Sequence, residues 1–390
     1  MRCTQSTAEE TAVNITTSRR GFLKSVSGSL ALLATAGTPA LAQPGEVDWL
    51  KEVQRPPASP EKETAHGFEP LLRADDGKPI TTVTQWEQQR AEIRRRWMEF
   101  LGPMPDRPPV KLVTLSEDHP EDCCRLLVRY EAEAGEQVEG YLLHPEPLLP
   151  APRPALVVLH STTPDTIDEV AGIKGRDSRA LGLKFAQQGF IVFCPKCFLW
   201  QDPSLDYDEA AATFRKSHPG TLGMHKMLHD AQRAVDALTS LPDVDPNRIG
   251  AVGHSLGAKE TLYLMAFDER VRAGVFSEGG IGLTFTNWHD PWYLGAGIHE
   301  PGFALDHHQL LALIAPRPFL IVAGESGPPG MSVADGDRTW PYIEAALPVY
   351  RLYGEPARIG LYNHRQGHTI PDEAFERMSE WLRTYLPSRT

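Results

Sequence analysis

The sequence has no apolar run of about 20 residues, which is the length that a helix needs to cross a bilayer. It also has no excess of positive charge, because 39 lysine and arginine residues are outnumbered by 51 aspartate and glutamate residues among 390 residues. Apart from Arg94–Arg96, no basic run is long enough to suggest a charged surface for nucleic acid. These absences predict a protein without a stable membrane span and without a nucleic-acid partner.

Cysteine is scarce, with five residues in the whole chain. Cys194 and Cys197 form a C-x-x-C pair, but there is no second C-x-x-C and no C-x-x-C-H, so a zinc site there would lack ligands. We expect this pair to be buried thiols or one disulfide. The H-E-x-x-H and P-loop motifs are missing, as is a G-x-G-x-x-G after a strand, so no metal ion or organic cofactor is predicted.

The N-terminus is typical of an export signal. The pair Arg19-Arg20 precedes a mildly apolar stretch from Ser25 to Thr38, and Ala40-Leu41-Ala42 provides a cleavage site of the small-x-small type. The paired arginine resembles the twin-arginine signal. We therefore expect residues 1–42 to be a signal peptide read by the twin-arginine export machinery, and the mature protein to be periplasmic or secreted.

Beyond this leader, the sequence pattern divides into two regions. Residues 43–105 are predicted to be a linker followed by a helical extension, because a Pro-rich stretch gives way to apolar residues at helical spacing over 84–101. In residues 106–390, short apolar strands alternate with helical patterns, which is typical of a mostly parallel sheet with helices on both faces. Segments 195–220 and 279–305 are interpreted as insertions, and the first is expected to be rich in loops.

The strongest chemical signal is Gly253-His254-Ser255-Leu256-Gly257, which matches G-x-S-x-G. It falls between a predicted strand and a predicted helix, where this motif forms a strained turn. Side chains at its glycines would collide with neighbouring backbone. The motif predicts that Ser255 is a nucleophile at the carboxyl edge of the sheet.

A serine hydroxyl needs a base, and in this kind of fold the histidine follows the last strand. His364 and His368 both lie there. His368 is preferred because it follows a glycine and is nearer to the final helix, which leaves His364 a supporting or structural role.

An oxyanion hole requires two backbone amides that point at the developing negative charge. One is expected from Leu256, directly after the nucleophile. The other is expected from Thr162 or Ser161, in the loop after the strand that ends at His160.

The acid that orients the histidine has two alternative places in the sequence. One is the long loop after Ala323, where Asp335 is favoured over Asp337 because Asp337 is placed to cap the next helix. The other is Glu278, which stands beside glycines at the end of the preceding strand, where a packing residue is not expected. The two places are weighted equally.

Together these residues resemble the α/β-hydrolase superfamily over about 105–387, and Val244–Gly257 looks like its dienelactone hydrolase, acetyl xylan esterase and prolyl oligopeptidase branch. The resemblance implies an α/β-hydrolase fold and a Ser-His-acid hydrolase. A partial similarity to glucuronoyl esterases rests on Lys259, four residues after the serine, and on Glu278 in a matching turn. That family has an arginine directly after the nucleophile, where this chain has Leu256.

The second insertion is unusually aromatic and follows the strand that carries Glu278. Trp288 and Trp292 are predicted to be exposed and to contact a sugar or aryl group of the substrate; the alternative is that they pack the insertion onto the domain. Lys259 is interpreted as a substrate contact or, equally, as a solvated residue of the first helical turn.

The combined prediction is an exported serine hydrolase that cleaves carboxylic esters of small molecules or carbohydrates through an acyl-enzyme. A peptidase of the prolyl oligopeptidase type is a weaker alternative, because no propeller-sized region precedes the catalytic domain. A hydrolase-like binding domain without activity is the third, and an intact serine and histidine argue against it.

Overall fold

Nine strands form one sheet and position every element of the candidate site. Their bounds are β1 (Val113–Asp118), β2 (Cys123–Glu133), β3 (Glu136–Pro145), β4 (Arg153–Leu159), β5 (Ile191–Pro195), β6 (Val244–His254), β7 (Val271–Ser277), β8 (Phe319–Ala323) and β9 (Ile359–Asn363). The order across the sheet is β1-β2-β3-β5-β4-β6-β7-β8-β9. The first four strands in this order pair antiparallel, and pairing from β5 through β9 is parallel. The sheet is therefore mostly parallel, as the sequence pattern predicted.

The structure is a computed structural model that describes residues 45–58, 67–74, 76–147, 150–325 and 333–387. The described residues belong to one compact unit. The predicted signal peptide lies outside the described residues. No helix in the described stretches is long and apolar enough to cross a membrane.

Helices cover both faces of the sheet. Their bounds are α1 (Leu50–Val53), α2 (Val83–Leu101), α3 (Thr166–Val170), α4 (Leu181–Gln187), α5 (Tyr207–Ser217), α6 (Gly223–Thr239), α7 (Leu256–Phe267), α8 (His307–Ile314), α9 (Trp340–Leu352) and α10 (Asp372–Tyr385). Alternate residues of a strand point to opposite faces. Ala155 and Val157 of β4 therefore pack in one core layer with α2 and α6 to α9, while Leu156 and Val158 pack in the other with α1, α4 and α10.

The segment predicted to be a linker and helical extension contributes to both core layers. Trp97 of α2 is completely buried, and its Nε1 donates a hydrogen bond to Oε1 of Gln309 at 2.9 Å. Val53 of α1 lies so close to β9 that a methyl group at Gly360 would be 2.4 Å from its side chain. Residues of this segment are therefore packed against the catalytic region.

The segment 195–220 differs from the prediction of a loop-rich insertion, because it contains α5. Asp206 accepts a hydrogen bond from the amide of Glu209, and the Glu209 side chain accepts one from the amide of Asp206. This capping box was visible in the sequence and was missed. The strand predicted before the serine motif is β6, and its pairing with β4 begins at Val244.

Candidate active site

A sharp turn between β6 and α7 carries Ser255 at the carboxyl edge of the sheet. Ser255 has a φ of 59°, in the left-handed region that side chains rarely adopt. A methyl group at Gly253 would lie 2.2 Å from the carbonyl carbon of Gly257, and one at Gly257 would lie 2.1 Å from the carbonyl oxygen of Leu159. Close backbone packing therefore requires both glycines and holds the serine in its strained conformation.

His368 lies in the loop after β9, and its Nδ1 is 3.2 Å from Oε2 of Glu278. Glu278 directly follows β7, has a φ of 54° and is completely buried. Because Nδ1 faces a carboxylate, Nε2 of His368 is left for proton exchange with a hydroxyl group. The amide of Ser255 donates a hydrogen bond to the carbonyl oxygen of Ser277 at 2.8 Å, so the serine and the acid lie on adjoining strand ends.

The loops after β7 and β8 are tied together by reciprocal hydrogen bonds. Oε2 of Glu278 accepts hydrogen bonds from the amides of Ala334 at 2.9 Å and of Asp335 at 3.4 Å. The Asp335 carboxylate accepts hydrogen bonds from the amides of Gly280 at 2.6 Å and of Ile281 at 2.9 Å. Each carboxylate therefore fixes the backbone that carries the other.

The alternative acids, Asp335 and Asp337, have other partners. Asp337 forms an ion pair with an exposed arginine at 2.8 Å, and Asp335 is fully buried under its three hydrogen bonds. Burial and the nearby charge of Glu278 raise the pKa of Asp335 to about 6, while these hydrogen bonds oppose the shift. Within the described chain, the carboxylate that contacts His368 is that of Glu278, so the geometry favours Glu278.

His254, the second residue of the serine motif, packs against the candidate base. The ring centroids of His254 and His368 are 4.6 Å apart, and Nδ1 of His254 is 3.0 Å from Oγ of Ser277. Burial and the nearby His368 lower the pKa of His254 well below its usual value, so His254 is neutral near pH 7. The sequence analysis missed it, because any residue satisfies this position of the motif.

The amides expected to form the oxyanion hole belong to two segments. Leu256 is the first residue of α7 and is buried, and Thr162 lies exposed in the loop after β4. His160 braces this loop, because its Nδ1 is 2.8 Å from the carbonyl oxygen of Ser161 and its Nε2 accepts a hydrogen bond from the amide of Cys197 at 3.1 Å.

Arg179 joins the loop after β4 to the loop after β9, and it was also missed. Its Nη1 donates to Oγ of Ser161 at 3.3 Å, and its Nη2 donates to the carbonyl oxygen of His368 at 3.1 Å. Arg179 belongs to the short helical turn Asp177–Arg179, directly before α4.

Lys259 is buried, so the interpretation of a solvated helix residue is wrong. Its Nζ lies 3.7 Å from the ring centroid of Trp288 and 4.9 Å from that of Tyr293. Nζ also donates a long hydrogen bond to Oγ1 of Thr286 at 3.5 Å. Burial lowers the pKa of Lys259 to about 7, although the charge of Asp335 opposes the shift.

The aromatic residues of the second insertion differ in exposure. Trp288 is completely buried, and its Nε1 donates to the carbonyl oxygen of Gly280 at 2.7 Å, which contradicts the prediction of an exposed stacking residue. Trp292 is half-buried, with its ring centroid 5.7 Å from that of Tyr207. Tyr207 in turn lies 5.0 Å from Trp200, so the two insertions meet in a row of half-buried rings.

Cys194 and Cys197 are buried free thiols, which is one of the two outcomes predicted for them. Burial raises the pKa of both thiols well above the usual value. Neither thiol is therefore activated as a thiolate near pH 7.

The close packing of the serine turn predicts that Gly257→Ala destabilises the protein by about 3 kcal/mol or more, since the added methyl group displaces backbone. Gly297→Ala is the matched control, because nothing lies within 4 Å of the methyl group that it adds. Urea unfolding measures both free energies. Equal unfolding midpoints for the two variants would contradict the steric argument.

The buried amine of Lys259 predicts a pH-dependent stability. Its pKa falls from the ordinary 10.5 to about 7 on folding, so between these values the unfolded chain binds more protons and the free energy of unfolding rises with pH. Lys259→Met lacks this contribution. From pH 7 to pH 9.5, the free energy of unfolding of the parent protein should therefore rise relative to that of the variant. In urea unfolding we expect this relative gain to be on the order of 1–3 kcal/mol. Parallel curves would show that the amine keeps its usual pKa.

The chain is similar to several known proteins. Residues 138–287 match the model of the Dienelactone hydrolase family. A curated relative from Bacillus subtilis (strain 168), named "Putative hydrolase YtaP", is 23% identical over 330 residues, which cover 75% of this chain and 100% of the relative.

Solved structures that are similar to this chain include two esterases. The glucuronoyl esterase from Solibacter usitatus has a TM-score of 0.67 at 19% identity and covers 82% of this chain and 98% of its own. A "putative acetyl xylan esterase" from Bacteroides fragilis NCTC 9343 has a TM-score of 0.57 at 14% identity and covers 82% and 87%. At these identities the likeness concerns the fold. The chain therefore has the α/β-hydrolase fold, and its residues 138–287 are similar to the dienelactone hydrolase family.

Proposed function

We propose that this chain is a serine hydrolase that cleaves carboxylic esters through an acyl-enzyme. The observation that carries the proposal is the contact of His368 with the buried Glu278, on the sheet edge that also holds the strained turn of Ser255. A buried carboxylate on Nδ1 is the arrangement that makes an imidazole a directed base. The strained serine at the neighbouring strand end supplies a hydroxyl group for that base.

In the proposed reaction, Oγ of Ser255 attacks the ester carbonyl while Nε2 of His368 takes the hydroxyl proton. Glu278 holds Nδ1–H, which fixes the tautomer and stabilises the imidazolium. The backbone amides of Leu256 and Thr162 bind the oxyanion of the tetrahedral intermediate. The imidazolium gives its proton to the departing alcohol, which leaves the acyl group on Oγ of Ser255. Water then attacks the acyl-enzyme while Nε2 of His368 takes its proton. The imidazolium returns this proton to Oγ of Ser255 as the carboxylic acid is released.

Asp335 acts in this scheme as a positioning residue. It accepts hydrogen bonds from the two amides that follow the Glu278 turn, so it sets the place of that turn without touching the histidine. Arg179 has a similar task, because it holds the backbone of His368 against the loop of Thr162.

The proposed substrates are esters of small molecules or carbohydrates. The glucuronoyl and acetyl xylan esterases with this fold support the carbohydrate class. The half-buried rings of Trp200, Tyr207 and Trp292 suit stacking on a sugar or aryl group. The buried Lys259 packs against Trp288 of the second insertion, and in this proposal it stabilises the insertion and does not bind the substrate.

We also propose that the protein is exported by the twin-arginine machinery and acts in the periplasm or outside the cell. Support comes from Arg19-Arg20, the apolar stretch after it and the Ala40-Leu41-Ala42 site. Replacing Arg19-Arg20 by two lysines should leave the uncleaved chain in the cytoplasm, as cell fractionation would show.

The nucleophile is tested by labelling with a fluorophosphonate probe, which reacts with activated serines. The protein should be labelled, and Ser255→Ala should not be. Equal labelling of both, or no labelling of the parent protein, would contradict the catalytic proposal.

The substrate class is tested by comparing the turnover of p-nitrophenyl esters, acetylated xylan, glucuronoyl esters and peptide amides. We expect turnover of esters. Faster turnover of amides would favour the peptidase alternative.

The acid is tested by comparing Glu278→Gln with Asp335→Asn. Glu278→Gln removes the carboxylate that holds the imidazole tautomer, and kcat should fall by about a thousandfold or more. Asp335→Asn should lower kcat far less and should lower the melting temperature, because it disturbs a positioning contact. Steady-state kinetics on one activated ester measure both. A larger loss of kcat in Asp335→Asn would overturn the assignment of Glu278.

A further inference from the structure

The connection between β1 and β2 carries a cluster of metal-ligating side chains, several strands away from β6. Glu117 lies near the end of β1, His119 directly follows that strand, and Cys124 is the second residue of β2. One ligand atom from each residue lies within 4.8 Å of the other two. The cluster combines an oxygen, a nitrogen and a sulfur ligand.

His119 is held between two carboxylates. Its Nε2 is 3.0 Å from Oε1 of Glu117, and its Nδ1 is 3.2 Å from both carboxylate oxygens of Glu146. Hydrogen bonding to Glu146, and then to Glu117, raises the pKa of His119. A histidine that ligates a metal almost always donates its other N–H to a carboxylate, and Glu146 is placed to accept that bond.

Cys124 closes the cluster on the protein side. Its buried Sγ is 3.9 Å from Oε1 of Glu117, whereas Glu117 and His119 are exposed and leave the other side open to solvent. With zinc–ligand bonds of about 2.0–2.3 Å at tetrahedral angles, neighbouring ligand atoms lie about 3.3–3.7 Å apart. The oxygen–nitrogen distance of 3.0 Å and the oxygen–sulfur distance of 3.9 Å fall on either side of that range, and the nitrogen and sulfur atoms lie within 4.8 Å, so the three side chains must adjust their positions on binding.

We propose that Glu117, His119 and Cys124 bind a zinc ion, with Glu146 orienting His119 and water in the fourth position. Zinc accepts thiolate, imidazole and carboxylate ligands in tetrahedral sites. The Cys124 thiol loses its proton to solvent when it binds the ion as a thiolate. The site is structural and separate from the proposed ester hydrolysis.

The zinc ion adds a link between an exposed edge strand and β2, beside the strand pairing and the contact of Asp118 with Arg125. Every residue of β1 is exposed, and within the described chain β1 pairs only with β2. The apolar side chains of Val113 and Leu115 remain in contact with solvent, so burial contributes little to docking this strand. A metal ion that joins ligands from β1 and β2 stabilises their pairing, and the folded chain with it.

The experiment is a cobalt titration of the full chain, reduced and freed of metal with a chelator. One equivalent of Co²⁺ should give a thiolate-to-cobalt band in the near ultraviolet and the intense visible bands of tetrahedral cobalt. Zinc should displace the cobalt and raise the melting temperature. Cys124→Ser should remove the thiolate band, and His119→Ala, at an exposed position, should weaken binding at least about tenfold.

The controls separate this site from other thiols and from the proposed activity. Cys123→Ala, next to the proposed ligand, and Cys3→Ser should both keep the thiolate band. A thiolate band that persists in Cys124→Ser, unchanged affinity in His119→Ala, or no band at one equivalent of cobalt would overturn the proposal. Fluorophosphonate labelling of Ser255 is expected to be the same in all of these variants, so failure of one proposal is distinguishable from failure of the other.

Discussion

Close contact between backbone segments at the turn of Ser255 constrains everything around it. The first turn of α7 lies against the end of β4, at a distance that only Gly257 permits, and Gly253 lies against Gly257 in the same way. This contact sets the direction in which α7 leaves the sheet. It also places the start of α7 beside the loop after β4, so the two amides expected to bind an oxyanion belong to touching segments. The strain at Ser255 is maintained because its neighbours cannot move apart without breaking this packing.

The positions of Glu278 and Asp335 depend on hydrogen bonds to backbone amides. Glu278 and Asp335 each accept backbone amides from the loop of the other, so two long connections order each other at the carboxyl edge of the sheet. Two buried carboxylates at close range repel, and the amide donors compensate for that repulsion. In this arrangement Glu278 contacts His368, and Asp335 holds the turn that carries Glu278.

The two insertions pack against each other through aromatic side chains. The ammonium group of Lys259 lies against the indole face of Trp288, and the rings of Trp200, Tyr207 and Trp292 lie in a row between the insertions. An amine buried in this way is desolvated and loses basicity, whereas the same residue at a helix surface would remain charged. Burial therefore lowers the pKa of Lys259, although its position in the sequence is that of an ordinary residue in the first turn of a helix.

Features that depend on neighbouring residues could be predicted from the sequence. Alternating strand and helix patterns indicated the mostly parallel sheet, and the five-residue motif marked Ser255 because its glycines answer a local steric demand. Features that depend on distances between remote segments are visible only in the folded chain. Glu278 and Asp335 were equal candidates in the sequence, and only the path of their loops shows which one meets His368. Burial likewise separated Trp288 from Trp292, and only strand pairing brought Glu117, His119 and Cys124 together, because hydrogen-bonding and ligand geometry act through space and not along the chain.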